Sequence, residues 1–379
     1  FGGEVFSLRA GAGNLTVDEM KEAMEFLHTH GAKGYLTINI YPHNEDIRPL
    51  QEYIQQIRDI PIDAFLVSDP GVMQLVKDGI PNAEIHLSTQ ANTTNYLSAY
   101  FWESQGVKRI VAAREMSLKE IREMREHLPE DIEIEAFLHG AMCISYSGRC
   151  LLSNYMVGRD ANRGQCTHPC RWKYHLMEEK RPGEYFPIEE DDRGSYIMNS
   201  RDLCMLDCLP DMINAGVTSL KIEGRMKSAY YVATVVSAYR AALDSYMKDP
   251  ENYEFKQEWY DELCKASHRE FTHGFFYQKP SSRDQNYLTS DYVREYSFIG
   301  VVLGVDEANG ETIVQQRNKF CVGDEIEIMS PGEPFYTEEV PSMKDEDGNA
   351  IESAPHPKQE VRIPFRKVPA KYSILRKRK

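Results

Sequence analysis

The stretch RIVAAREMSLKEIREMREHLPEDIEIEAFLHG, residues 109–140, decides the fold. It opens on a short apolar run (109–113) and closes on another (132–139), both strand-like. Between them, 118–128 carries the three- and four-residue apolar spacing of an amphipathic helix. Ser117 stands where that helix needs an ordinary cap, and it is given no catalytic role. Strand, helix and strand in about 30 residues make one βαβ unit.

The alternation continues outward on both sides. Ahead of it come an extended stub at 1–9 and a helix at 16–30, in which Thr16 and Glu19 form a capping box and Gly31 is the stop. Next come strand 33–40, helix 47–57, strand 64–68, helix 71–77, strand 84–88 and helix 95–105. Beyond it follow strand 195–198 with helix 203–215, and strand 219–222 with a long helix at 228–247. Residues 178–194, polar and acidic with two prolines, read as a long solvated loop.

Eight strand candidates alternating with helices predict parallel βαβ units in an α/β fold. No glycine-rich dinucleotide turn occurs, which favours a (β/α)8 TIM-like barrel over an open doubly wound sheet. The first strand has nothing in front of it, so either it closes the barrel or one βα unit is missing ahead of it. The barrel is expected over 1–250, with a cysteine-rich insert at about 140–208. A Tyr- and Phe-rich linker packed on the barrel follows at 251–285. Alternating strands separated by turns at Asn309–Gly310 and Gly323–Asp324 then predict a small all-β barrel at 286–379.

The 379 residues are 41% hydrophobic and 27% charged, the composition of a globular chain with room for a large barrel and an appendage. No apolar run approaches the length that spans a bilayer, so no membrane partner is expected. A net charge of −15 argues against nonspecific nucleic-acid binding by the whole molecule. The last 14 residues, however, hold seven Lys or Arg and no acid. Eight cysteines are too few for a disulfide scaffold, and the expected compartment is the reducing cytoplasm.

In a barrel of this kind the chemistry lies where strands end. There the sequence places Asn39, Ser68, Asp69, Ser88, Gln90, Arg114, Glu115, His139, Asn199, Ser200, Lys221, Glu223 and Arg225. Many barrels carry polar residues at such points simply to cap helices, and for any single one that reading is at least as strong as a functional one. Together they describe a polar pocket whose cations, Arg114, Lys221 and Arg225, suit a small anionic carboxylate. Cys143, Cys150, Cys166, Cys170, Cys204 and Cys208 enter the same face with spacing C-x6-C-x15-C-x3-C-x33-C-x3-C. That spacing lacks the paired knuckles of zinc ribbons and the compact ferredoxin run. It leaves an iron–sulfur cluster, structural zinc, and redox or inert thiols all open.

A protease would need chemistry of another kind. Neither H-E-x-x-H nor G-x-S-x-G occurs. His268 and His273 fall in the linker, where surface or hydrogen-bonded histidines are expected, and Cys143 with His139 is the pair available as a nucleophile and base.

Residues 135–153 (EAFLHGAMCISYSGRCLLS), 219–228 (SLKIEGRMKS) and 85–92 (IHLSTQAN) resemble the collagenase-like, U-type peptidase family, and the likeness runs over nearly the whole chain. Within that family, FSLR (6–9), NIYPHN (39–44), SDPG (68–71), RPGEY (181–185) and the β-rich C-terminal part are similar to a bacterial branch associated with tRNA hydroxylation. The resemblance implies 5-hydroxylation of the wobble uridine of tRNA, with prephenate as the source of the hydroxyl and without molecular oxygen. It further implies a [4Fe–4S] cluster on Cys143, Cys150, Cys166 and Cys204, because family members in ubiquinone biosynthesis carry an iron–sulfur cluster on a matching pattern. Cys170 and Cys208, each four residues past one of these, are alternate ligands or neighbouring thiols. The family begins one βα unit earlier than this chain, which supports truncation ahead of Phe1.

On this reading Arg114, Lys221 and Arg225 bind the carboxylate-bearing cosubstrate, and Glu115, His139 and Glu223 complete the catalytic candidates. The β domain and the terminal basic run would hold the RNA backbone, although a solvated charge run explains the latter equally well. Tyr146 or Trp172 would stack a flipped uridine, and an electron donor is a further partner. The rival expectations are a metal- or cysteine-dependent peptidase, a hydrolase with collagen-like substrates, and a nonenzymatic protein with a structural zinc.

Overall fold

The computed structural model describes residues 1–8, 13–143, 145–172, 175–176, 186–187, 201–279 and 292–379. The strand expected at 195–198, with Asn199 and Ser200, and most of the loop expected at 178–194 lie outside these residues. Helix α1 (Val17–Thr29) starts at Thr16, whose hydroxyl accepts the Glu19 N–H while the Glu19 carboxylate accepts the Thr16 N–H. Then follow β1 (Tyr35–Ile38), α2 (Ile47–Ile57), β2 (Ala64–Val67), α3 (Pro70–Gly79), β3 (Ile85–Leu87) and α4 (Tyr96–Ser104). Strand β4 (Arg109–Val111), α5 (Leu118–His127) and β5 (Glu133–Ala141) complete the run. Asp69, Asn95 and Ser117 cap α3, α4 and α5 through their side-chain oxygens, so Ser117 is structural, as expected.

Strands β1 to β5 pair in parallel in chain order, and strand Ser219–Ile222 adds in parallel beside β5. Gly2 bridges in parallel to Thr37 of β1. Strands buried on both faces read as continuous apolar runs, which is why the sequence locates them. Leu36, Ile38, Phe65, Val67, Ile85, Leu87, Ile110 and Ile134 are all buried.

The sheet departs from simple alternation at the end of β5. Residues 139–141 pair antiparallel with strand Asp202–Cys204, setting His139 opposite Cys204, and Phe271–Thr272 pairs in parallel with that strand in turn. Cys204 therefore lies in a strand, where a helix from 203 was expected, and the helix that follows is Leu209–Asn214. Gly140 makes the bend possible. Its φ is +119°, and a Cβ there would stand 2.8 Å from the Glu223 carbonyl oxygen.

The chain divides into two compact units. The first comprises Phe1–Lys227, Ala241–Phe255 and Arg269–Asp291; the second comprises Ser228–Arg240, Lys256–His268 and Tyr292–Lys379. In the second, six antiparallel strands run in the order Tyr336–Glu339, Glu325–Met329, Ile374–Arg378, Tyr296–Val305, Thr312–Gln316 and Glu360–Ile363. Phe320–Cys321 pairs with Ser353–Ala354. Ile299, Val302, Val314, Phe320, Ile326, Ile328, Val361 and Leu375 form its core. The expected class thus holds: alternating strands and helices with a parallel sheet, then an antiparallel β domain.

The terminal basic run is solvated only in part: Arg366, Lys367, Lys371, Arg378 and Lys379 are exposed, but the run is not a free tail. Ile374–Arg378 lies inside the sheet, and Arg376 is fully buried, held by Glu262 (2.6 and 2.7 Å) and Glu327 (2.8 Å). Lys377 pairs with Asp324 and Lys367 with Glu333. Among the described residues, no helix is long and apolar enough to cross a membrane.

Candidate functional site

The polar ends of the parallel strands are tied to one another by side chains. The Asn39 amide donates to Ser88 Oγ (3.0 Å) and accepts the Leu8 N–H, while Ser68 Oγ donates to the Asn39 carbonyl. The Tyr41 hydroxyl donates to the Gln90 carbonyl, linking the loops after β1 and β3.

Arg114, just past β4, is the cation at the centre of this end. Its guanidinium lies 4.0 Å over the Phe137 ring, 3.4 Å from Cys143 Sγ and 3.7 Å from Glu223. The Glu223 N–H donates to the His139 carbonyl at 2.9 Å. Arg114, His139, Cys143, Cys204 and Glu223 are therefore brought together around the bend in β5. Two buried polar atoms here, Arg114 Nε and Glu115 Oε2, have no hydrogen-bond partner. Burial pushes the Glu115 carboxyl above its ordinary pKa, with Arg114 and a backbone hydrogen bond only partly opposing it.

The other two expected cations are engaged elsewhere. Lys221 reaches Glu135 at 2.5 Å, and Glu135 also binds Arg109 (3.2 Å) and the Ser219 hydroxyl (2.8 Å). Burial alone would raise the Glu135 carboxyl, but Lys221, Ser219 and Arg109 hold it below the usual carboxylate range. Lys221 thus completes a buried ion network of the sheet. Arg225 donates to Ser7 Oγ (2.8 Å) and Asn14 Oδ1 (2.5 Å) of the N-terminal segment.

None of the eight cysteines is in a disulfide; Cys143 is exposed and Cys204 buried. Cys150 and Cys166 belong to a segment folded over the β1 loop. The Asn162 amide donates to the Cys150 carbonyl (3.1 Å), Ser153 Oγ accepts the Thr167 N–H (3.1 Å), and Arg163 grips Asp46 with two nitrogens. Gly148, at φ +74°, lies where a Cβ would stand 2.5 Å from the Tyr41 ring. Cys170 falls in the short turn Pro169–Arg171, and Tyr146 and Trp172 are exposed.

Sequence reading missed one cluster. Cys208 Sγ lies 3.6 Å from His273 Nε2, and both Asp207 carboxylate oxygens lie 3.2 Å from that same nitrogen. The Asp207 hydrogen bond, followed by that of Cys208, raises the His273 imidazole to about 10 and holds the Asp207 carboxyl below its usual value. Nothing local signals this meeting, because His273 is 65 residues from Cys208. A protease relay needs the carboxylate on the imidazole nitrogen opposite the nucleophile, so the three do not form one. His268 is structural: its Nδ1 hydrogen-bonds the Ala266 carbonyl and its backbone pairs with Val293.

The molecule is thus an α/β protein whose strand ends set a cysteine, Cys143, against a buried arginine, Arg114, followed by an antiparallel β domain. It belongs to Peptidase family U32: the family's sequence profile matches residues 1–286, and that of the Peptidase family U32 C-terminal domain matches 294–376. It is 42% identical to "tRNA hydroxylation protein P1" of Bacillus subtilis over 378 residues, 100% of this chain and 89% of that protein. It is 36% identical to "tRNA hydroxylation protein P" of Escherichia coli, covering 92% of this chain and 85% of the relative. A third relative, "23S rRNA 5-hydroxycytidine C2501 synthase" of Escherichia coli, is 36% identical over 65% of this chain and 36% of its own length.

Proposed function

We propose that this protein is an RNA-modifying hydroxylase acting on tRNA, and that it places the hydroxyl on C5 of the wobble uridine. The observation that carries the reading is the match along the whole chain to the Bacillus subtilis protein named for tRNA hydroxylation. The third relative, named for a hydroxycytidine in ribosomal RNA, supports hydroxylation of a pyrimidine as the common chemistry.

In this reading prephenate supplies the hydroxyl, molecular oxygen takes no part, and the reaction belongs to the cytoplasm. A [4Fe–4S] cluster takes four thiolates, and Cys143, Cys150, Cys166 and Cys204 are the four we assign; none of them is in a disulfide. The 3.4 Å approach of Arg114 to Cys143 suits a site that gathers negative charge. When bound, the cluster would supply one-electron chemistry; the two electrons released as C5–H becomes C5–OH would return to prephenate as its C–OH bond breaks, and a separate electron donor would only prime the cluster.

Arg114 would anchor a carboxylate of the cosubstrate through the Nε–H it leaves unpaired. Glu115, whose carboxyl keeps its proton to higher pH than usual, would hold a proton for transfer at Oε2. Glu223 and His139 orient Arg114 and the bend of β5, while Lys221 fixes β5 through Glu135. Arg225 fixes the N-terminal segment. Tyr146 and Trp172 present exposed rings on which an extruded base can stack.

The test is expression in a bacterial strain lacking its own tRNA hydroxylation proteins, followed by nucleoside mass spectrometry of its tRNA. The wild type should restore 5-hydroxyuridine derivatives, whereas Arg114→Ala should fail to do so while retaining its iron. An iron-loaded wild type that leaves the tRNA unchanged yet cleaves a collagen-like peptide would instead support the peptidase reading.

A further inference from the structure

We infer that Asp207, Cys208 and His273 form a mononuclear zinc site, separate from the four cysteines assigned to the cluster, with a water in the fourth position. The three donors come from two distant segments joined by strand pairing. Phe271–Thr272 pairs in parallel with Asp202 and Leu203, so the residue after Thr272 and the turn after Cys204 emerge at the same end of the sheet. The Cys208 N–H closes that turn onto the Met205 carbonyl.

Three ligand atoms of three kinds, a thiol sulfur, an imidazole nitrogen and a carboxylate oxygen, lie within 4.8 Å of one another. Zinc binds these donors at about 2.0–2.3 Å, and at tetrahedral angles donors at such lengths stand about 3.3–3.7 Å apart. The separations here are 3.6 Å from sulfur to nitrogen and 3.2 Å from nitrogen to oxygen. Hydrogen bonding explains the arrangement less well, because sulfur and both carboxylate oxygens converge on a single ring nitrogen that carries at most one proton. An ion at the centre engages each donor once.

The donor set points to zinc, since thiolate and imidazole favour it over the hard cations of all-oxygen sites. The surroundings also fix the ligands. The Tyr277 ring packs edge-on against His273 (5.5 Å), and its hydroxyl donates to Asp211 of the following helix. Asp207 and His273 are each 44% exposed, leaving the fourth position open to solvent. Three protein ligands and an open position are the pattern of a zinc that binds water or a small ligand, whereas a structural zinc is closed by four.

The experiment uses the full chain purified without oxygen, cleared of loose metal by a mild chelator, and titrated with Co²⁺. One equivalent should bind and give a thiolate-to-cobalt charge-transfer band with tetrahedral d–d bands, and Zn²⁺ should displace it. Cys208→Ser should abolish the charge-transfer band. Asp207→Asn and His273→Ala should each weaken cobalt binding by at least about 100-fold, the upper end of what losing an outer partner of a ligand costs. Cys170→Ser and Cys143→Ala should leave the cobalt spectrum intact, which separates this site from the cluster. Both exposed ligands can be changed without disturbing the fold, checked by an unchanged melting temperature. A charge-transfer band that survives Cys208→Ser, or cobalt affinity that ignores Asp207→Asn and His273→Ala, would overturn the assignment.

Discussion

Arg376→Met removes the one cation that is fully buried between two carboxylates in the β-rich unit while keeping the aliphatic bulk of the side chain. The wild-type guanidinium makes two bonds to Glu262 (2.6 and 2.7 Å) and one to Glu327 (2.8 Å). Breaking a buried ion pair by deleting one partner costs about 3–5 kcal/mol, mostly because the other charge is left uncompensated. Here Lys265 remains 3.2 Å from Glu262 and 2.8 Å from Glu327, which places the expected loss at the low end, ~3 kcal/mol. Adding Glu262→Gln leaves one cation facing one anion, and should recover about 2 kcal/mol of that loss.

The loss should depend on pH. Burial alone would push the Glu327 carboxyl up, but Lys265 and Arg376 outweigh it and hold it below its ordinary value. A carboxyl depressed in the folded state stabilises above its unfolded pKa of about 4.3, and that stability disappears as pH falls through the folded value. The deficit of Arg376→Met should therefore be full above about pH 5 and shrink below about pH 4. Urea unfolding followed by Trp259, buried on the helix that carries Glu262, reads this directly in a background with Trp102 and Trp172 changed to Phe. A deficit under about 1 kcal/mol, or one that does not change with pH, would refute the argument and leave packing as the cause.

Other consequences are local. Burial, with help from Asp261 and Glu295, pushes the Cys264 thiol up to about 11, so iron-free protein at pH 8 should be alkylated at exposed Cys143 at least about 100-fold faster than at Cys264. Peptide mass spectrometry would count the adducts. Cys264→Ala should keep all its iron, whereas Ala at Cys143, Cys150, Cys166 or Cys204 should lose it in a colorimetric iron assay. Gly148→Ala must place a methyl against the Tyr41 ring at positive φ, and should cost about 2 kcal/mol and expose residues 149–167 to limited proteolysis. Gly158→Ala, at φ +66° with nothing within 4 Å, should cost only about 1 kcal/mol by the same assay.

Much of the first unit is legible because its signals are local. Capping oxygens at Thr16, Asp69, Asn95 and Ser117 and short apolar runs set most helix and strand positions, and Ile47–Ile57 and Ser219–Ile222 emerge with the expected bounds. What stays hidden depends on pairing across long separations. Asp202–Cys204 is a strand only because the end of β5 and Phe271–Thr272 flank it. Ile374–Arg378 looks like a basic tail because the acids that bury Arg376 lie 49 and 114 residues away. The candidate site divides along the same line. Sequence position sets Arg114 and Cys143 at adjacent strand ends, but the 3.4 Å contact between them and the engagement of Lys221 with Glu135 need the folded sheet.

The most direct test of the central claim is a reconstitution under strict exclusion of oxygen. Purified iron-loaded protein, unmodified tRNA, prephenate and a chemical reductant would be incubated together, and the anticodon fragment weighed by mass spectrometry. The expected result is a gain of one oxygen atom on the wobble uridine that needs prephenate and is lost in Arg114→Ala. Wobble uridine left unchanged by iron-loaded protein, or changed only when molecular oxygen is admitted, would contradict it.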